Sequence, residues 1–178
     1  DAVLPEGYEV SESALQRVFD EDDREKVIGN VTQNVTDLAD AYPDVEFYYF
    51  FTPYSAAWWK VTLEQGVFDR QIDAEKTAIE EILKHPNIKL FSFNCLTDIT
   101  TDLNNYKDIS HYGAWVNTLM LRMMHDDKCL LTYENYEEYL QSERGFYGSF
   151  DYRSLKTQED YEDDTEASRI ITEKYMND

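Results

Sequence analysis

The alternation of apolar and polar positions divides the chain into helical and extended segments. After an irregular lead-in at residues 1–10, apolar side chains recur every three or four positions, which predicts a helix from near Ser11 to just before Pro43. The stripe that carries this prediction is made of Val27, Val31, Val35, Leu38 and Tyr42. Gly29 is a point where the helix is expected to bend.

Two apolar runs and two further helical patterns follow. The aromatic run EFYYFFT at residues 46–52 predicts a strand buried on both faces, and IKLFSF at residues 88–93 predicts a second strand. A helix at residues 72–83 ends before Pro86, and an amphipathic helix covers residues 115–124. This rhythm is typical of an α/β fold with a parallel sheet and flanking helices, so we expect the two strands to pair in parallel.

The composition changes near the C-terminus. Beyond residue 145 the chain becomes acidic, as in QEDYEDDTEASR, and has few apolar anchors. We therefore divide it into a folded part, residues 1–145, and an acidic extension, residues 146–178, which we expect to be solvated. A calcium loop is the alternative, but the alternating ligands and turn glycine of such a loop are missing. We predict no metal and no cofactor.

The charge of the chain limits its partners. The 178 residues include 16 Lys and Arg against 37 Asp and Glu, a formal net charge of −21. Such a field repels phosphate backbones, so nucleic acid is excluded as a partner, and anionic membrane surfaces are disfavoured. Cys95 and Cys129 form no metal-binding motif, and we expect both to be buried thiols.

The segment YKDISHY contains the most suggestive pair for catalysis. Asp108 and His111 follow the second strand and precede a helix, and ligand sites gather at the carboxyl ends of parallel strands. An aspartate that accepts the Nδ1 hydrogen of a histidine lets Nε2 act as a general base. The alternative is that Asp108 caps the turn while His111 packs against Tyr112 or Trp115.

Several nearby residues are candidates for a substrate cleft. Ser55 follows the first strand faintly like a nucleophile, but the G-x-S-x-G motif is absent and a helix N-cap is the alternative role. Trp58 can stack on a sugar ring, although packing in the core explains at least one residue of the Trp58–Trp59 pair. The other candidates for the cleft are Tyr54, Tyr106 and Tyr112.

Three segments together resemble a group of bacterial proteins related to the SGNH hydrolases, or GDSL esterases: FYYFFTPYSAAWW, NIKLFSFNCLTDITTDLNNYKDISHYG and CLLTYENYEEYL. The resemblance covers about residues 27–140, and the family's last motif, D-x-x-H, matches Asp108 and His111. It implies an SGNH/flavodoxin-like fold and a serine esterase or O-acyltransferase of the cell envelope or surface. The substrate it implies is an acyl ester or polysaccharide, with His111 as base and Asp108 orienting it.

The chain departs from that family at its nucleophile. The Gly-Asp-Ser type motif and the Gly-x-Asn-Asp motif are absent, so we expect the chain to be the C-terminal part of the domain and inactive alone. A noncatalytic module that binds polysaccharide or an acyltransferase partner is the alternative function. The strand at residues 46–52 would lose a neighbour, and we expect a second copy, an N-terminal fragment, the lead-in or the acidic tail to cover it.

Overall fold

The protein is described by a computed structural model that covers residues 18–156 and 165–177. A long helical segment comes first, made of α1 (Glu21–Val31), a π-helical turn (Thr32–Thr36) and α2 (Asp37–Ala41). The Asp20 side chain caps α1 by accepting a hydrogen bond from the Asp23 amide at 2.9 Å. The predicted end before Pro43 is confirmed, while the predicted start near Ser11 lies outside the described residues.

The π-helical turn changes which side chains face the core. In an uninterrupted α-helix, Leu38 and Tyr42 would lie on the same face as the buried Val31. The side chains of Leu38 and Tyr42 are exposed, however. Thr36 and Ala39 are buried instead, because a turn of five residues shifts the inner face by one position. The predicted apolar stripe is therefore correct up to Val35 and wrong beyond it, and Gly29 causes no break.

The two predicted strands pair as expected. Strand β1 (Phe47–Phe51) leads through α3 (Ala56–Glu64) and α4 (Phe68–Ile82) to β2 (Ile88–Ser92). The strands are parallel, with each residue from Phe47 onward opposite its partner from Ile88 onward. The prediction of a parallel pair joined through helices is confirmed.

The expectation of an all-parallel sheet is wrong. A third strand, β3 (Leu130–Leu131), pairs antiparallel with β2, so the described residues form a mixed α/β fold with a three-stranded sheet in the order β1-β2-β3. Two residues are too few to give a period-two pattern, which is why the sequence hides this strand.

Helices cover both faces of the sheet. Between β2 and β3 lie α5 (Thr97–Thr100), a 3₁₀ turn (Leu103–Asn105) and α6 (Ala114–His125); α7 (Tyr136–Ser149), a second 3₁₀ turn (Tyr152–Ser154) and α8 (Glu166–Asn177) complete the described chain. Leu90 joins a core cluster with α3, α4 and α7, and Phe91 joins another with α6. None of the helices in the described residues is both long and apolar enough to cross a membrane.

The segment predicted as a solvated extension begins inside the core. Helix α7 continues past Gly145 to Ser149, and Tyr147 is fully buried against Trp59 with a ring separation of 4.8 Å. Helix α8 packs on α6, and Lys128 donates a hydrogen bond to the Tyr175 carbonyl at 2.7 Å. Part of residues 146–178 is thus folded structure, while the most acidic stretch, residues 157–164, lies outside the described residues.

Within the described residues, strand β1 forms one edge of the sheet. The prediction that it is buried on both faces is wrong, because Tyr48 and Phe50 are 44% and 38% exposed. A groove of about 540 Å³ lies beside the strand, against α1 and α4. The lead-in that was expected to cover this edge lies outside the described residues.

Candidate functional site

The loop between the first 3₁₀ turn and α6 holds the candidate pair in a closed turn. Tyr106 and Tyr112 form an isolated antiparallel bridge, and the Lys107 amide donates to the His111 carbonyl at 2.7 Å. The Gly113 amide donates to the Asn105 carbonyl at 2.9 Å. These backbone hydrogen bonds hold the two ends of the loop together, and the residues between them form its tip.

Asp108 and His111 are in direct contact at that tip. Oδ2 of Asp108 lies 2.6 Å from Nδ1 of His111, which is hydrogen-bond distance. Oδ1 accepts hydrogen bonds from the amides of Ser110 and His111, each at 2.9 Å. The predicted contact of Asp108 with the imidazole ring and its alternative role as a turn cap are both present, because one carboxylate oxygen caps the turn and the other contacts Nδ1 of His111.

The environment keeps the Asp108 carboxylate ionised. Partial desolvation pushes its pKa upward, but the amide of Ser110 and the ring and amide of His111 outweigh that effect and lower the pKa to about 2. A carboxylate that is charged throughout the neutral range favours the tautomer of a neutral imidazole with its hydrogen on Nδ1, and in that tautomer Nε2 is the proton acceptor. Within the described residues Nε2 makes no hydrogen bond.

The loop is anchored at the carboxyl end of β1. Ser55 Oγ donates to the Ile109 carbonyl at 2.7 Å, and the Tyr106 hydroxyl donates to the Pro53 carbonyl at 2.6 Å. Both anchors follow directly after the strand, so the predicted location of Asp108 and His111 at this end of the sheet is confirmed.

An open cleft of about 520 Å³ lies between this loop and the segment that follows β1. Tyr54 and Trp58 form one wall as a stacked pair with ring centroids 4.4 Å apart. The opposite wall carries His111 and Tyr112. The cleft therefore combines a histidine that contacts a carboxylate with flat aromatic surfaces. Thr52, Ser110 and Asn117 complete its lining.

Two predicted cleft residues lie behind the surface. Ser55 is fully buried and caps α3 by accepting from the Trp58 amide, so its capping role is confirmed and it does not line the cleft. Tyr106 is only 1% exposed, and its hydroxyl is used by Pro53. Trp59 packs in the core as expected for one of the two tryptophans.

The prediction for the cysteines is wrong. Cys95 is exposed and Cys129 is half-buried. Their sulfur atoms lie 3.4 Å apart, a proximity that a separation of 34 positions in the sequence does not reveal.

A buried pair of acids escaped the sequence analysis. Glu75 on α4 and Glu143 on α7 both lie within hydrogen-bond distance of the Tyr139 hydroxyl, at 3.2 and 3.0 Å. Burial raises the pKa of Glu75 well above its usual value and that of Glu143 to about 7. Oε2 of Glu143 has no hydrogen-bond partner among the residues that the structure describes. Only the contact between the two helices brings these acids together.

One cluster of described carboxylates has spacing that suits a cation, at the start of α1. It consists of Asp20, Asp22 and Asp23. Two of its members already have structural roles, because Asp20 caps the helix and Asp23 accepts two hydrogen bonds from Arg70, each at 2.8 Å. We assign no metal to it.

Comparison of the chain with models of protein families, with curated proteins and with solved structures finds no match.

Proposed function

We propose that this chain supplies the Asp-x-x-His part of an SGNH-type serine esterase or O-acyltransferase that acts on polysaccharide at the bacterial cell surface. The observation that carries the proposal is the 2.6 Å contact between Asp108 Oδ2 and Nδ1 of His111, a histidine that lines an open cleft. The motif resemblance supplies the choice of family and substrate class.

The geometry suits proton transfer at Nε2 of His111. A nucleophilic hydroxyl would lose its proton to Nε2 as it attacks an ester carbonyl, and Asp108 would stabilise the resulting imidazolium. The same proton would then pass to the leaving sugar alkoxide. Electrostatic stabilisation of this kind contributes most when the carboxylate is already ionised, as it is here.

The nucleophile in this proposal comes from another segment. Ser110 lies on the Nδ1 side of the ring, with Oγ 3.4 Å from Nδ1, and Ser55 is buried. The family's serine belongs to a Gly-Asp-Ser type motif that the 178 residues do not contain. We therefore expect the chain alone to be inactive.

The test is hydrolysis by the full-length protein of p-nitrophenyl acetate and of an O-acetylated polysaccharide. We expect His111→Ala and Asp108→Asn each to lower kcat by roughly 10²- to 10⁴-fold with an unchanged circular dichroism spectrum. His125→Ala is the matched control, because His125 is exposed at the far end of α6. Full activity in His111→Ala would refute the proposal.

A second candidate, a noncatalytic polysaccharide-binding module, is favoured by the aromatic wall of Tyr54 and Trp58. In this case Trp58→Ala would weaken polysaccharide binding in calorimetry by about tenfold, whereas His111→Ala would leave it unchanged. Tyr133→Ala is the control, since Tyr133 is an exposed aromatic residue outside the cleft. Binding that survives Trp58→Ala would exclude this function for the cleft.

A further inference from the structure

The two cysteines are brought together by the pairing of β2 with the segment that begins β3. The Ser92 amide at the end of β2 donates to the Cys129 carbonyl at 3.1 Å. Cys95 lies three residues beyond Ser92, and its Sγ lies 3.6 Å from the Ser92 carbonyl oxygen. The two sulfur atoms are consequently 3.4 Å apart, which is contact distance for thiols.

The backbone at Cys129 is shaped to reach this position. Cys129 has a φ of 63°, in the left-handed region that non-glycine residues seldom adopt, and Asp127 has a φ of 53°. The tight turn after α6 therefore holds Cys129 in an unfavourable conformation that points it toward Cys95. Packing of a small apolar side chain in the core would not require a positive φ at Cys129.

The two thiols differ in their chemistry. A hydrogen bond from Cys95 lowers the pKa of Cys129, burial opposes this, and the positive charge of Lys128 lowers the pKa further. The same hydrogen bond, together with desolvation, raises the pKa of Cys95. Cys129 is thus the more readily ionised thiol, and Cys95 is the exposed partner beside it.

We propose that Cys95 and Cys129 form a reversible disulfide by exchange with a small-molecule disulfide. In the first step the Cys129 thiolate attacks one sulfur of the oxidant, its S–S bond breaks, and one thiolate leaves and takes up a proton. In the second step the Cys95 thiol gives its proton to solvent and attacks the Cys129 sulfur, which releases the second small thiolate. Two protein thiols and one disulfide yield one protein disulfide and two small thiols.

This bond would close a loop that contains the candidate site. The segment from Cys95 to Cys129 includes α5, the turn of Asp108 and His111, and α6. Cross-linking its ends removes conformational freedom from the unfolded chain, and this effect grows with loop length. The disulfide would stabilise the site loop without touching the cleft, so this proposal is independent of the proposed function.

The test treats the full chain with oxidised glutathione and counts thiols before and after unfolding. We expect the monomer to lose both thiols, to lose the mass of two hydrogen atoms, and to gain roughly 10 °C in Tm, all reversed by dithiothreitol. Cys95→Ser should instead accumulate a glutathione adduct on Cys129, because no resolving thiol is present. Cys129→Ser should react with oxidised glutathione at Cys95 more slowly than Cys95→Ser reacts at Cys129.

Two outcomes would overturn the proposal. One is that both thiols stay free in the folded monomer while glutathione reacts with the urea-unfolded chain. The other is that oxidation yields only disulfides between chains or stable adducts on both cysteines. Intact mass spectrometry and nonreducing electrophoresis of the parent chain detect both outcomes. The result therefore does not depend on how well a variant folds.

Discussion

The Ser55 hydroxyl donates a hydrogen bond to the carbonyl of Ile109 across 54 positions of sequence, at 2.7 Å. The same oxygen accepts from the Trp58 amide and so caps α3. One buried side chain therefore fixes both the start of the helix that carries Trp58 and the loop that carries His111. The two walls of the cleft are positioned by a shared residue.

Replacement of Ser55 by alanine should loosen both walls. We expect Ser55→Ala to reduce the free energy of unfolding by about 1–3 kcal/mol, because a cap is lost and the half-buried Ile109 carbonyl loses one of its two donors. Urea denaturation measures the change. Ser149→Ala, which removes an exposed hydroxyl bonded only within its own helix, should stay within about 0.5 kcal/mol of the parent. Equal effects of the two substitutions would contradict the anchoring role.

The turn at Asp108 offers a second test that needs no activity. Asp108→Ala removes the oxygen that caps the Ser110 and His111 amides as well as the one that holds the ring, whereas Asp108→Asn retains one acceptor for the turn. We expect amide hydrogen exchange at Ser110 and His111 to accelerate strongly in Asp108→Ala and only modestly in Asp108→Asn. Unchanged protection in both variants would show that Asp108 does not organise the turn.

The buried acids Glu75 and Glu143 predict an unusual dependence of stability on pH. Both have raised pKa values in the folded state, so between pH 4.5, the usual value, and about 7 the folded protein binds more protons than the unfolded chain. Their contribution to the free energy of unfolding should therefore fall as the pH rises through this window. At lower pH the contribution is fully present.

Substitution of one acid isolates this effect. We expect Glu143→Gln to flatten the decline between pH 5 and 8 and to raise the free energy of unfolding at pH 8 by about 1–3 kcal/mol, because a buried charge is removed. Glu138→Gln is the control, since Glu138 is exposed on the same helix. A pH profile of Glu143→Gln identical to that of the parent would rule out a raised pKa at Glu143.

The exposed edge of β1 predicts self-association that depends on salt. Two copies can pair their β1 edges around a two-fold axis and cover Tyr48 and Phe50, but a net charge of −21 on each copy opposes this contact at low ionic strength. Light scattering should therefore show a mass that rises as sodium chloride screens the repulsion.

The variant Phe50→Lys should remain monomeric at high salt, because it places a charge on the edge. Leu121→Lys is the matched control, since Leu121 is 65% exposed on α6, away from β1. If the parent chain stays monomeric at every salt concentration, two copies do not associate through β1, and the prediction is wrong.

Local signals in the sequence predicted the parallel pair of strands, the ends of two helices before Pro43 and Pro86, and the contact of Asp108 with His111. Each depends on residues close in sequence or on a strong apolar period. The features that escaped prediction depend on distant contacts: the burial of Tyr106 in the core, the contact of Cys95 with Cys129, and the pairing of β3. No short pattern encodes them, because tertiary packing decides which side of a loop faces solvent.

The π-helical turn at Thr32–Thr36 gives the first helical segment a place where its length can change. The turn contains one more residue than an α-helical turn, and Asn34 within it is exposed. Deletion of Asn34 would convert the segment into continuous α-helix while Thr36 and Ala39 keep their inward positions. A deletion in α4 would instead rotate every following side chain by about 100°. A chain shortened at residue 34 should therefore fold, and insertions or deletions among homologues are expected at this turn.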